Sequence, residues 1–175
     1  MAAATALAAT RVREALMRAA NKGGGWPYYA EKGSRIEPTC WALLALAEAD
    51  PDGDNWQRMA TPHLAWLTSI QGRDGLLIDV PGAPPNFTAN GLAACVLAGS
   101  AFRAARPEPV EGRAPDLARL GDELVTVKGL SVDIPDPRQD NRLQGWPWMP
   151  DTFSWIEPTC WCLLALKKGN AASSA

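Results

Sequence analysis

The chain has a single histidine, His63, with three phenylalanines and two tyrosines, and no Cys-x-x-Cys pair. One histidine cannot supply the spaced ligand set that a zinc site normally draws on. No Gly-rich phosphate loop, nucleophile elbow or metal-binding motif occurs, so the usual phosphoryl- and acyl-transfer machinery lacks its parts. No apolar run approaches the ~18 residues of a membrane-spanning helix. Net charge is only −2, which gives no electrostatic footing for nucleic acid or an anionic membrane. The Ala-rich stretch Met1 to Ala20 is interrupted by Arg11, Arg13, Glu14 and Arg18. A secretory signal would put charge first and an unbroken apolar segment after, so this stretch reads as a helix of a soluble protein. The four cysteines lie inside apolar runs and read as reduced thiols of a cytoplasmic chain.

What remains is ordinary in bulk. With 47 % hydrophobic and 21 % charged residues, 175 residues suit one domain able to bury roughly 70 % of its unfolded surface. The exception is tryptophan, present eight times. Trp26, Trp41, Trp146, Trp148, Trp155 and Trp161 fall in two matching segments, which points to an internal repeat.

The segment Gly25-Trp26-Pro27-Tyr28 … Ser34-Arg35-Ile36-Glu37-Pro38-Thr39-Cys40-Trp41-Ala42-Leu43-Leu44-Ala45-Leu46 recurs 120 residues later. There it reads Gly145-Trp146-Pro147-Trp148 … Ser154-Trp155-Ile156-Glu157-Pro158-Thr159-Cys160-Trp161-Cys162-Leu163-Leu164-Ala165-Leu166. A weaker copy lies between: Asp74-Gly75-Leu76-Leu77 leads through a Pro-rich loop into Thr88 to Ala98. With Thr88 aligned to Glu37, the two steps are 51 and 69 residues. The excess of 18 is expected in an inserted, solvated loop over 103–142, whose core is Arg106 to Arg113.

Each unit has the same grammar: a leading helix, a Gly/Trp turn, an extended connector and a trailing helix. The leading helices are expected at Thr5 to Asn21, Asp54 to Gln71 and Asp116 to Val127. In the second, Trp56, Met59, His63, Trp66, Leu67 and Ile70 share one face, and Pro62 is expected to kink it or to start it afresh with Thr61 as N-cap. The trailing helices are expected at Glu37 to Glu48, Thr88 to Ser100 and Glu157 to Lys168. They are apolar nearly all round and must be enclosed, whereas the leading helices are amphipathic. The expected fold is therefore all-α, an incomplete α/α toroid of about three helix hairpins. The single domain spans 1–169, with repeats over 1–49, 50–100 and 101–169 and a disordered tail at 170–175.

At the Gly/Trp turns the chain resembles the squalene-cyclase and prenyltransferase repeat superfamily. That signature is an aromatic, an aliphatic, three spacers, Gln, a short spacer, then Gly-x-Trp. Here Trp66-Leu67 is followed by Gln71 and Gly75, with Leu77 where the closing Trp belongs. Gln144-Gly145-Trp146 and Asn21 … Gly25-Trp26 are shortened versions. The Trp-Pro-aromatic … Ile-Glu-Pro-Thr pattern is closer to bacterial repeat proteins of this superfamily than to the cyclases. The resemblance implies rings of five to seven helix pairs, of which this chain supplies three. A part ring would leave the apolar flank of its terminal helices in water. Association is expected, as a homo-oligomer or with a second toroid half. The chain ends soon after its last Glu-Pro-Thr motif, as a truncated reading frame would.

Glu37 and Glu157 offer a pair of carboxylates for acid–base work. Against this, Ser34 to Glu37 and Ser154 to Glu157 fit the capping box, or each Glu is an N-cap before a first-turn proline; the structural reading is favoured. The resemblance would require an Asp-x-Asp-Asp acid run for a cyclase, or zinc held by Asp, Cys and His for a prenyltransferase, and neither is present. His63 is expected in the core, and Cys40, Cys95, Cys160 and Cys162 as buried packing. Cys40 and Cys160 sit early in two helices, where the dipole would lower a thiol pKa. In the cyclases, cavity aromatics stabilise cations through their π faces, worth about 0.5–2 kcal/mol per ring. The plainer reading is that Gly-Trp turns wedge helix pairs together, with Trp41 and Trp161 the best candidates to face a cavity.

The expectation is a non-catalytic repeat protein, with no catalytic residues, metal or cofactor. It would bind an apolar, isoprenoid-like small molecule or a partner protein through Trp41, Trp161, Trp26, Trp146, Glu37 and Glu157. The alternative is part of a split terpene-cyclase-like or prenyltransferase-like enzyme whose acid or metal ligands lie on another chain.

Overall fold

A computed structural model describes residues 2–49, 54–99, 116–133, 140 and 142–173. Six α-helices and no strand occur among these residues. We label them α1 (Ala2–Ala19), α2 (Ile36–Ala49), α3 (Asp54–Ser69), α4 (Phe87–Ala98), α5 (Leu117–Thr126) and α6 (Ile156–Ser173). Leading and trailing helices alternate as the repeat requires.

The trailing helices are neighbours in the order α2, α4, α6, with α1 and α3 packed on α2, and α5 on α4 and α6. Every residue of α4 is buried, as its lack of any polar face demands. Its tightest neighbour is α6. A Cβ built on Gly91 would lie 2.9 Å from the Trp161 carbonyl carbon and the Cys162 nitrogen. Only glycine lets the two backbones approach this closely. α4 starts at Asn86, whose side chain accepts from the Ala89 amide at 2.9 Å; α5 starts at Asp116, which accepts from Arg119 at 2.9 Å. Both are N-cap bonds that satisfy a free first-turn donor.

The three turns share one hydrogen bond. The amide of Trp26 donates to Thr39 Oγ1 at 2.8 Å, that of Leu77 to Asn90 Oδ1 at 2.7 Å, and that of Trp146 to Thr159 Oγ1 at 3.0 Å. Donor and acceptor are 13 residues apart in every case. The middle copy, weak in sequence, is thus in the same register as the others. In the outer two, the indole N–H adds a second tie, from Trp26 to the Leu16 carbonyl at 2.7 Å and from Trp146 to the Leu124 carbonyl at 2.6 Å. Those carbonyls belong to the last turns of α1 and α5, where intrahelical donors have run out. The Gly-Trp turn therefore pins the ends of α1 and α5.

Several boundaries differ from expectation. α3 runs unbroken through Pro62, and Thr61 bonds back to the Gln57 carbonyl at 2.9 Å as an interior residue, so no new helix starts there. α6 continues to Ser173, taking the Ala/Ser-rich end into the helix. α5 falls where the third leading helix is expected, inside the 103–142 stretch. The Arg106 to Arg113 core of that stretch lies outside the described residues, as do 174 and 175 of the tail. After α5 the chain runs beside the third connector, Gly129 donating to the Gly145 carbonyl at 3.0 Å and Leu130 to Thr152 at 2.9 Å.

Candidate functional site

Trp41 on α2 and Trp161 on α6 meet edge to face, ring centroids 5.5 Å apart and planes at 77°, a favoured arrangement of aromatic quadrupoles. They occupy equivalent repeat positions on the two helices that flank α4. Trp41 is 47 % exposed and Trp161 is half-buried, although their helices are otherwise greasy. The remaining predicted tryptophans are placed differently. Trp26 is in the core, stacked on His63 at 3.8 Å, and Trp146 is half-buried with its indole spent on α5. Both act as wedges between helices.

The two glutamates lie one turn before the two tryptophans and are not equivalent in environment. Glu37 accepts a hydrogen bond from the Tyr28 hydroxyl. Burial, then this bond to a carboxylate, pushes the Tyr28 phenol up to about 12, so it remains a donor. Arg35 lies over the Tyr28 ring, 5.5 Å from its centroid. Trp148 stands where Tyr28 does in the last repeat, so Glu157 has no such phenol; it is exposed.

The expected Ser-x-x-Glu capping boxes do not form, because both serines turn toward the glycine turn instead. Ser34 Oγ donates to the Gly24 carbonyl at 2.6 Å, and Ser154 Oγ accepts from the Gly145 amide at 2.8 Å. The start of α2 is capped from the next unit. Asp79 accepts from the Ile36 amide at 2.8 Å and from Arg35 Nε at 2.9 Å, binding the first and second repeats together. Sequence reasoning missed Asp79, since nothing local links it to a helix 43 residues away.

His63 is buried as expected, accepting from the Gly25 amide through Nδ1 at 2.9 Å. Burial lowers its pKa to about 4, so it is neutral at physiological pH, and its Nε2 has no partner. Gly25 meets it in the left-handed region, φ 77°, which a side chain there would strain. Cys40, Cys95 and Cys162 are buried. Burial raises the Cys40 thiol well above its ordinary range, Cys95 to about 11 and Cys162 to about 12. Desolvation therefore overrides the helix dipole invoked for Cys40. Cys160, expected in the core, is exposed. Among the described residues no group of three His, Cys, Asp or Glu side chains is arranged to hold a metal ion. No helix among them is long and apolar enough to cross a membrane.

A separate cleft of about 440 Å³ opens between α4, α5 and α6, lined by Ala94, Ala98, Leu117, Gly121, Val125 and Ala165 among others. It contains none of the residues singled out from the sequence. Chemically, the tryptophan pair offers π faces and apolar area, and Glu37 offers a carboxylate held by the Tyr28 hydroxyl. No protein-family model matches the chain, and no curated protein matches it.

Proposed function

We propose that this chain is a non-catalytic member of the squalene-cyclase and prenyltransferase repeat type, a three-hairpin segment of an α/α toroid. Its Trp41–Trp161 surface binds an apolar, isoprenoid-like molecule. The reading is carried by one observation: two large aromatic rings from the first and last repeats meet across α4, and Trp41 is half exposed. An exposed tryptophan on a core helix withholds apolar area from the core, and an apolar ligand would recover it at about 25 cal/mol per Å² covered. Three hairpins sharing one turn bond support the repeat assignment. The absence from the sequence of an acid run or an Asp/Cys/His set supports binding over turnover.

The test is titration of the purified protein with farnesol, following tryptophan emission and heat. Saturable binding is expected, weakened at least tenfold by Trp41→Ala, with the variant's far-UV circular dichroism unchanged. Absence of saturable binding contradicts the proposal. Conversion of squalene or a polyprenyl diphosphate by the protein alone would replace it with an enzymatic reading.

A further inference from the structure

The repeat allows each residue of α6 to be compared with the same residue type in α2, and the comparison is lopsided. Ile36 is 2 % exposed and Leu43 0 %, because α3 and α4 pack on α2. Their counterparts on α6, Ile156 and Leu163, are 84 % and 53 % exposed. Cys40 is buried and Cys160 exposed; Leu164 is exposed where Leu44 is half-buried. The side chains that receive a helical hairpin in the first unit are all present on α6, and there they are exposed. An exposed cluster of branched aliphatics on this scale is a contact surface in most proteins.

The first hairpin, α1–α2, leaves mostly small residues exposed on one face. On α1, Ala8, Val12, Ala15 and Ala19 are exposed at i, i+4, i+7 and i+11, which is one helix face. On α2, Ala45 is exposed too. The hairpin that covers this face of α2 within the chain, α3–α4, is the repeat equivalent of α1–α2. Charge agrees. Exposed Glu48 closes α2, whereas its counterpart on α6 is exposed Lys168, beside exposed Lys167.

We infer that the Ile156–Cys160–Leu163–Leu164 face of α6 is the seat for the α1–α2 hairpin of a second copy of this chain, joined head to tail. One chain carries both matching edges, so the contact is heterologous: a different patch on each side. It does not depend on the ligand reading, since it is argued from the exposed aliphatics of α6 and the first hairpin and not from the Trp41–Trp161 contact.

The experiment is light scattering after size exclusion on three proteins: the parent, Ile156→Gln/Leu163→Glu (tail) and Val12→Glu/Ala15→Glu (head). The parent is expected at two or more times its 18.7 kDa, and each variant at one. An equimolar mixture of the two variants is expected to recover a dimer, because each keeps the edge that the other lacks. Circular dichroism verifies that the variants remain helical. Should the head variant melt, Glu48→Lys replaces it, with weakened association expected. A monomeric parent overturns the inference, and so does association that survives the tail substitution. Variants that stay monomeric when mixed also overturn it, because the contact would then not be head to tail.

Discussion

Removing the shared turn bond one repeat at a time should produce a graded series of losses. Thr39→Val keeps shape and deletes the hydroxyl that accepts from the Trp26 amide at 2.8 Å. Thr39 and Trp26 are both in the core, so the amide is left buried and unpaired, at a cost of about 1–3 kcal/mol. Asn90→Leu removes more. Asn90 is fully buried, accepts from the Leu77 amide at 2.7 Å and donates to the Leu77 carbonyl at 3.0 Å. Two backbone groups lose their partner together, for about 2–5 kcal/mol. Thr159→Val should cost at most about 1 kcal/mol, since Trp146 and Thr159 are half-buried and water can replace part of the bond. Asn90→Thr installs the residue that the other two repeats use, and should recover about half of the Asn90→Leu loss. The assay is urea unfolding followed by circular dichroism at 222 nm. A loss below about 0.5 kcal/mol for Thr39→Val, within the range of ordinary surface changes, would refute the reasoning. Asn90→Thr no better than Asn90→Leu would refute it too.

Three further outcomes follow from the same geometry. Gly91→Ala, which would gain up to about 1 kcal/mol in an isolated helix, should instead destabilise by about 1–3 kcal/mol, because its Cβ meets the α6 backbone; thermal melting decides the sign. The pKa of His63 falls from 6.5 to about 4 on folding, so between those values the unfolded chain binds more protons. Its contribution is complete above pH 6.5 and is lost as pH falls toward 4, amounting to as much as about 3 kcal/mol. His63→Phe should flatten the stability profile in that window, and an unchanged slope would contradict the assignment. Of the four thiols, only Cys160 is exposed. In the Ile156→Gln/Leu163→Glu variant, where no second copy covers α6, one fast-reacting equivalent with a thiol reagent at pH 8 is expected, lost when Cys160→Ser is added, with the other three reacting on unfolding; two or more fast thiols would contradict the packing.

The helix order was legible because a repeat of this fidelity forces equivalent segments into equivalent structures, and Trp26 and Trp146 are pinned by the same bonds to Thr39 and Thr159. Even the weak middle copy was aligned in register from Thr88, as the Leu77–Asn90 bond shows. The misses have physical causes. Ser34 and Ser154 look like caps to any local rule, but a glycine turn nearby offers better-placed partners, and the cap of α2 arrives from Asp79 in another unit. Pro62 looks like a break, but its ring is tolerated inside a helix that packing holds in place. Cys40 and Cys160 are identical in local sequence and differ in exposure, because burial is decided by the neighbouring unit. The tryptophan set split for the same reason: the sequence marked the positions, and only packing separates the wedges, Trp26 and Trp146, from the exposed Trp41.

The most direct test of the account is a nuclear Overhauser measurement between the indole protons of Trp41 and Trp161, assigned through Trp41→Phe and Trp161→Phe. Rings 5.5 Å apart and edge to face should give a cross-peak, and replacing either should shift the indole N–H of the other. A folded, dispersed spectrum with neither the cross-peak nor the mutual shift would mean that the first and last repeats do not meet across α4, contradicting the stacked-hairpin arrangement.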